Sequence, residues 1–139
     1  SRASSAWLTG TPSIPSLYAA IEGPRLVRRA GIERVRAKST RQTRALITAA
    51  EARGWRVNAP RDDARRGGTV AIDTPHAYEV SQALLARDVL VDYRPDAGIR
   101  LAPHFYTRDE EIESAVAAMD ELLAKEEWTR FSGARGVVT

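Results

Sequence analysis

Arg100 has the clearest chemical option in the chain. It lies between Ile99 and Leu101 in a stretch that reads as a strand, with Gly98 before it and Pro103-His104-Phe105-Tyr106 after it. That places it near a strand end, where a loop could open a pocket. A guanidinium there could hold a carboxylate through two parallel N–H···O bonds. On a half-buried strand the same side chain could also point harmlessly into water, and the local residues leave both readings open. The second option is Gly10-Thr11-Pro12, which stands before a helical stretch. Backbone N–H groups and a hydroxyl at such a place can face a phosphate, although an ordinary lead-in to a helix needs the same residues.

Other chemistries find less support. His76 and His104 are the only histidines. Neither has a carboxylate cluster at ligand spacing, so the expectation for metal sites is none. No Gly-x-Ser-x-Gly element is present to seat a serine nucleophile. Asp109-Glu110-Glu111 opens a helix, where negative charge is favoured by the backbone dipoles without any catalytic role. Arg66-Gly67-Gly68 is too short for a phosphate loop and lies between two strands, so its glycines are expected to serve a turn with positive φ.

The composition bounds the rest. At 139 residues the chain is long enough for one domain with its own core, and its 43% hydrophobic and 28% charged residues are ordinary for a globular protein. It contains no cysteine, which removes disulfides, thiolate nucleophiles and cysteine zinc sites together. No apolar run is long enough to span a membrane, so the expected location is the cytoplasm with no membrane partner. The net charge is +3, and Lys38 and Lys125 are the only lysines among 21 basic residues. The arginines are interleaved with acids and lack alternating aromatic residues for base stacking, which argues against nucleic acid as a partner.

Residues 1–15 read as extended or irregular because of Pro12 and Pro15. A helix is expected over 16–30, kinked or restarted at Pro24, and a second over 32–53, stopped by Gly54. Short strands follow at 55–59 and 70–72, separated by a polar turn. Thr74 and Pro75 are placed as N-cap and first residue of a helix to Arg87. Strands are expected at 89–93 and 99–102. A last helix opens on a Thr107–Glu110 capping box and runs to about Trp128, with Ile112, Ala115, Met119, Leu122 and Leu123 inward. The order predicts an α+β fold, a small and largely antiparallel sheet flanked by helices.

Four stretches, in order, resemble the C-terminal part of kynureninases, members of the class V aminotransferase group of fold-type I pyridoxal phosphate enzymes. They are Leu8 to Ala20 (LTGTPSIPSLYAA), Ile32 to Thr43 (IERVRAKS, then QT), Arg65 to Val70 (RRGGTV) and Val91 to Pro103 (VDYRP, then GIRLAP). The resemblance implies the C-terminal small domain of such an enzyme, with residues 1–30 as an interdomain segment and linking helix and 31–139 as the domain itself. It implies that an N-terminal domain carrying the cofactor lysine is absent, that no catalytic residue lies on this chain, and that the chain alone is inactive. It assigns Arg100 to the substrate α-carboxylate, and Gly10 and Thr11 to the pyridoxal 5'-phosphate group across a homodimer interface. The implied reaction is hydrolysis of L-kynurenine to anthranilate and L-alanine. His104-Phe105-Tyr106 departs from the commoner proline-leucine-tyrosine ending of this segment in a loop that borders the substrate site, which puts the substrate in question. Another class V activity (aminotransferase or cysteine desulfurase-like) and a stand-alone partner-binding domain are the alternatives. Bare surface facing the missing domain is expected to drive self-association.

Overall fold

The computed structural model describes residues 13–133, so Gly10 and Thr11 lie outside the described residues. The chain divides into two compact units, with the boundary between Arg36 and Ala37. In the first unit, helix α1 spans Ile14–Ala19 and helix α2 spans Glu22–Ala30. The first helix begins earlier than the prolines imply, because Pro15 occupies its first turn, where a missing N–H costs nothing. Pro24 likewise sits in the first turn of α2, so the chain restarts there as expected. Helix α3 spans Ile32–Ala52 and begins after Gly31, whose φ is 84°.

The second unit carries the sheet. Its strands are β1 (Arg56–Val57), β2 (Val70–Asp73), β3 (Asp92–Arg94) and β4 (Gly98–Leu101), all paired antiparallel in the order β1-β2-β4-β3. Helices α4 (Ala77–Leu85) and α5 (Asp109–Ala124) complete it, followed by a 3-10 turn at Glu127–Phe131. The α+β expectation holds. Val70 pairs with Leu101 and Ile72 with Ile99, so these four side chains share one face. That face packs on Leu46 of α3, Val80 and Leu84 of α4, and Ile112, Met119 and Leu122 of α5 in one buried cluster. Leu123, expected inward, is only partly buried.

Several local expectations shift for identifiable reasons. The strand expected at 89–93 pairs only over Asp92–Arg94, and the register sets Leu90 and Val89 opposite Ala102 and Pro103, past the end of β4 at Leu101; Leu90 is 90% exposed. Helix α4 starts at Ala77, not Pro75, with His76 as N-cap at φ 54°. The His76 ring stacks on Trp128, centroids 3.4 Å apart, and the Thr74 hydroxyl is buried without a partner among the described residues. The capping box moves by one residue, the Arg108 N–H donating to Glu111 Oε2 at 2.7 Å. Gly67 and Gly68 do not have positive φ. Gly68 instead lies against helix α3, where an added Cβ would come within 3.4 Å of Ser39 Oγ. The last helix ends at Ala124, since Glu126 turns to φ 53° before the 3-10 segment.

Candidate functional site

Strand alternation decides where Arg100 goes. With Ile99 and Leu101 in the core, Arg100 must project from the opposite face. The pairing sets Ala71 on one side of it and Asp92 on the other. Asp73, Arg56 and Arg94 share that face by the same parity. It is a charged surface, with Arg56 bonded to Asp73 at 2.6 Å and the Arg100 and Asp92 side chains 38% and 46% exposed. Gly98 fixes the approach of β4 to β2. Its φ is 99°, and a Cβ there would lie 2.4 Å from the Ile72 carbonyl oxygen.

Arg100 Nη2 donates to Asp92 Oδ2, while Arg94 Nε stands 3.4 Å from the same oxygen. The Arg100 hydrogen bond, helped by the charges of Arg100 and Arg94 and opposed by desolvation, holds the Asp92 carboxyl below the usual carboxylate range. Arg100 Nε is buried with no partner among the described residues. Its donors are thus only partly used, although a buried N–H without an acceptor costs about 1–3 kcal/mol. The pairing with Asp92 was not anticipated from the sequence. Its signal was available in the spacing: eight residues apart in a hairpin, with opposite charges on one face.

The loop after β4 is held from α3. Lys38 Nζ donates to the Phe105 carbonyl at 3.0 Å, and Gln42 Nε2 donates to the Thr107 carbonyl at 2.9 Å and to Asp109 Oδ1 at 2.8 Å. Within the loop the His104 N–H donates to Thr107 Oγ1 at 3.0 Å, and the His104 ring lies 4.3 Å from that of Tyr106. On the other flank, buried Arg66 donates to Thr43 Oγ1 at 3.1 Å and to the carbonyls of Pro60 and Arg61 at 2.9 and 3.0 Å, and pairs with Asp63. Lys38, Gln42 and Thr43 therefore tie the arginine-glycine-glycine stretch and the loop after Arg100 to one helix.

A cleft of about 470 Å³ opens between Leu90, Pro103, Tyr106 and the start of α5, and Arg100 is not among its lining residues. The pocket expected beside Arg100 is thus not enclosed by the described residues. Lys38 Nζ is bonded to the Phe105 carbonyl, and Lys125 is exposed and paired with Glu121 at 2.6 Å. Among the described residues no group of three or more histidine or acidic side chains could hold a metal ion, and no helix is long and apolar enough to cross a membrane.

Comparison with known proteins gives a consistent picture. The family model described as kynureninase C-terminal domain matches residues 35–119. Kynureninase from Geobacillus thermodenitrificans (strain NG80-2) is 33% identical over 138 residues, covering 96% of this chain and 32% of that protein. Kynureninase from Bacillus thuringiensis subsp. konkukian (strain 97-27) gives the same identity and coverage. The chain therefore spans about a third of the length of these curated relatives. Among solved structures, an apo cysteine desulfurase from Thermococcus onnurineus NA1 superimposes with a TM-score of 0.77 at 20% identity, over 86% of this chain and 33% of that one. A NifS-like protein gives 0.69 at 16% identity, over 84% of this chain and 35% of its own. At these identities the structural likeness concerns the fold.

Proposed function

Because this chain belongs to the kynureninase C-terminal domain family, we propose that it is the substrate-gripping small domain of a homodimeric, pyridoxal phosphate-dependent enzyme of kynureninase type. Residues 31–139 form that domain, and residues 1–30 link it to a cofactor-bearing N-terminal domain. The reaction of the parent is hydrolysis of L-kynurenine to anthranilate and L-alanine. The described residues do not fit a site for the cofactor, since both lysines are engaged elsewhere. Its hold belongs to the absent polypeptide, with Gly10 and Thr11 contributing at the phosphate, and this chain takes no chemical step through it.

What the chain supplies is position. Arg100 takes the α-carboxylate and so fixes the orientation of the adjoining carbon and ketone side chain. The observation that supports this reading is the guanidinium itself, which is half-exposed on the sheet face opposite the buried cluster, with only Nη2 bonded among the described residues. Lys38 and Gln42 hold the neighbouring His104-Phe105-Tyr106 loop in place.

The test is Arg100→Ala in the full-length parent. Loss of a charge-assisted pair worth about 1.5–3 kcal/mol raises KM for L-kynurenine about 10- to 100-fold while the cofactor absorbance is retained. An unchanged KM would sink the carboxylate role. If the parent releases no anthranilate but acts on cysteine or on common amino-acid donors, the reaction is a different one on the same grip.

A further inference from the structure

Asp92 stands directly across the β3–β4 ladder from Arg100, on the same face, and accepts a hydrogen bond from Nη2. We propose that Asp92 is a positioning residue for the carboxylate seat, fixing the Arg100 guanidinium so that Nη1 meets the substrate; this rests on the Arg100 reading above. Three features support it. Nε is enclosed and Nη2 is held, so Nη1 is the guanidinium nitrogen that is neither enclosed nor partnered among the described residues. Gly98, which pairs with Arg94, contributes no side chain between the two arginines. Finally, Arg94 stands 3.4 Å from Asp92 on the same face.

The charges separate this role from simple competition with substrate. A lone aspartate beside Arg100 would cancel the positive charge that a carboxylate seeks. Here two guanidinium groups flank one carboxylate, so the trio keeps a net single positive charge for the incoming anion. Both arginines also hold the Asp92 carboxyl below its ordinary range. Removing it leaves Arg94 and Arg100 as unshielded like charges on adjoining strands, free to splay apart.

The experiment compares full-length Arg100→Ala, Asp92→Ala and Asp92→Asn, using L-kynurenine as substrate and its decarboxylated analogue as competitive inhibitor. Asp92→Ala raises KM about 10-fold and changes kcat less than about 3-fold, the expected split for lost orientation in binding. Asp92→Asn, whose side-chain oxygen still accepts from Nη2, recovers most of that loss. The Ki of the analogue, which has no carboxylate, is the same in the parent and in Asp92→Ala. A KM that is unchanged or falls in Asp92→Ala overturns the proposal, as does a parallel rise in the analogue's Ki. If Arg100→Ala itself leaves KM unaltered, the carboxylate reading fails; if Arg100→Ala raises KM and Asp92→Ala does not, only the role of Asp92 fails.

Discussion

Two arginines on this chain show how burial and partners divide one residue type between two tasks. Arg66 is 4% exposed, and its donors reach Thr43, Asp63 and two carbonyls. It is a satisfied internal strut that fastens residues 60–66 to α3. Arg100, by contrast, has an Nε without a partner among the described residues and a half-exposed side chain. Arg66→Ala should therefore cost stability: several buried acceptors lose their donor together, for a loss of about 2–4 kcal/mol in urea denaturation of the chain. Arg100→Ala should leave the urea midpoint nearly where it was, because its pair with Asp92 is solvent-screened.

At the scale of elements, the hairpin β3–β4 depends on Gly98. A side chain there meets the Ile72 carbonyl at 2.4 Å and the Asp73 Cα at 2.7 Å, and the φ of 99° disfavours any L-residue. Gly98→Ala is expected to lower the melting temperature by about 10 °C or more, since both backbone shape and contact oppose it. Much of this layer was legible in the sequence. Alternation at Val70–Ile72 and Ile99–Leu101 marked the core strands, and the apolar period of α5 marked most of its inner face. The errors fall where tertiary packing overrides local signals. Thr74-Pro75 has the chemistry of a helix start, yet the His76–Trp128 stack goes with a later one. Val89-Leu90 has strand composition but lies opposite Ala102 and Pro103, past the end of β4. For the candidate site, the flanks of Arg100 marked it for attention but left its direction open, and strand alternation sets it on the face opposite the core. Asp92 was not singled out, because its value depends on a cross-strand register that composition does not state.

For the whole molecule, paired charges govern the response to pH. The Asp92, Asp109 and Glu121 carboxyls are held below their ordinary values of 3.8, 3.8 and 4.5, chiefly by hydrogen bonds from Arg100, Arg41 and Lys125 respectively. A carboxyl whose folded pKa is depressed stabilises above its unfolded pKa, and loses that contribution as pH falls through the folded value. Lys125 is raised above 10.5, chiefly by its hydrogen bond to Glu121. Its contribution is full below that point and fades as pH climbs through the folded value. Melting temperature plotted against pH should therefore show a plateau with an acid shoulder beginning near pH 4 and an alkaline one above about 10.5. Asp109→Asn should shrink the acid shoulder alone.

The strand order β1-β2-β4-β3 puts β4 inside the sheet, hydrogen-bonded along both edges. Arg100 is consequently bolted to a girder, not hung on a flap. Its backbone cannot advance toward a ligand without carrying Ala71 and Asp92 along. Only the side-chain torsions remain adjustable, so on the carboxylate role proposed above the seat would work as a fixed ruler: an amino acid whose carboxylate falls an ångström short would have to wait for the entire layer to travel, and one of the right reach would be caught without any local rearrangement of the main chain.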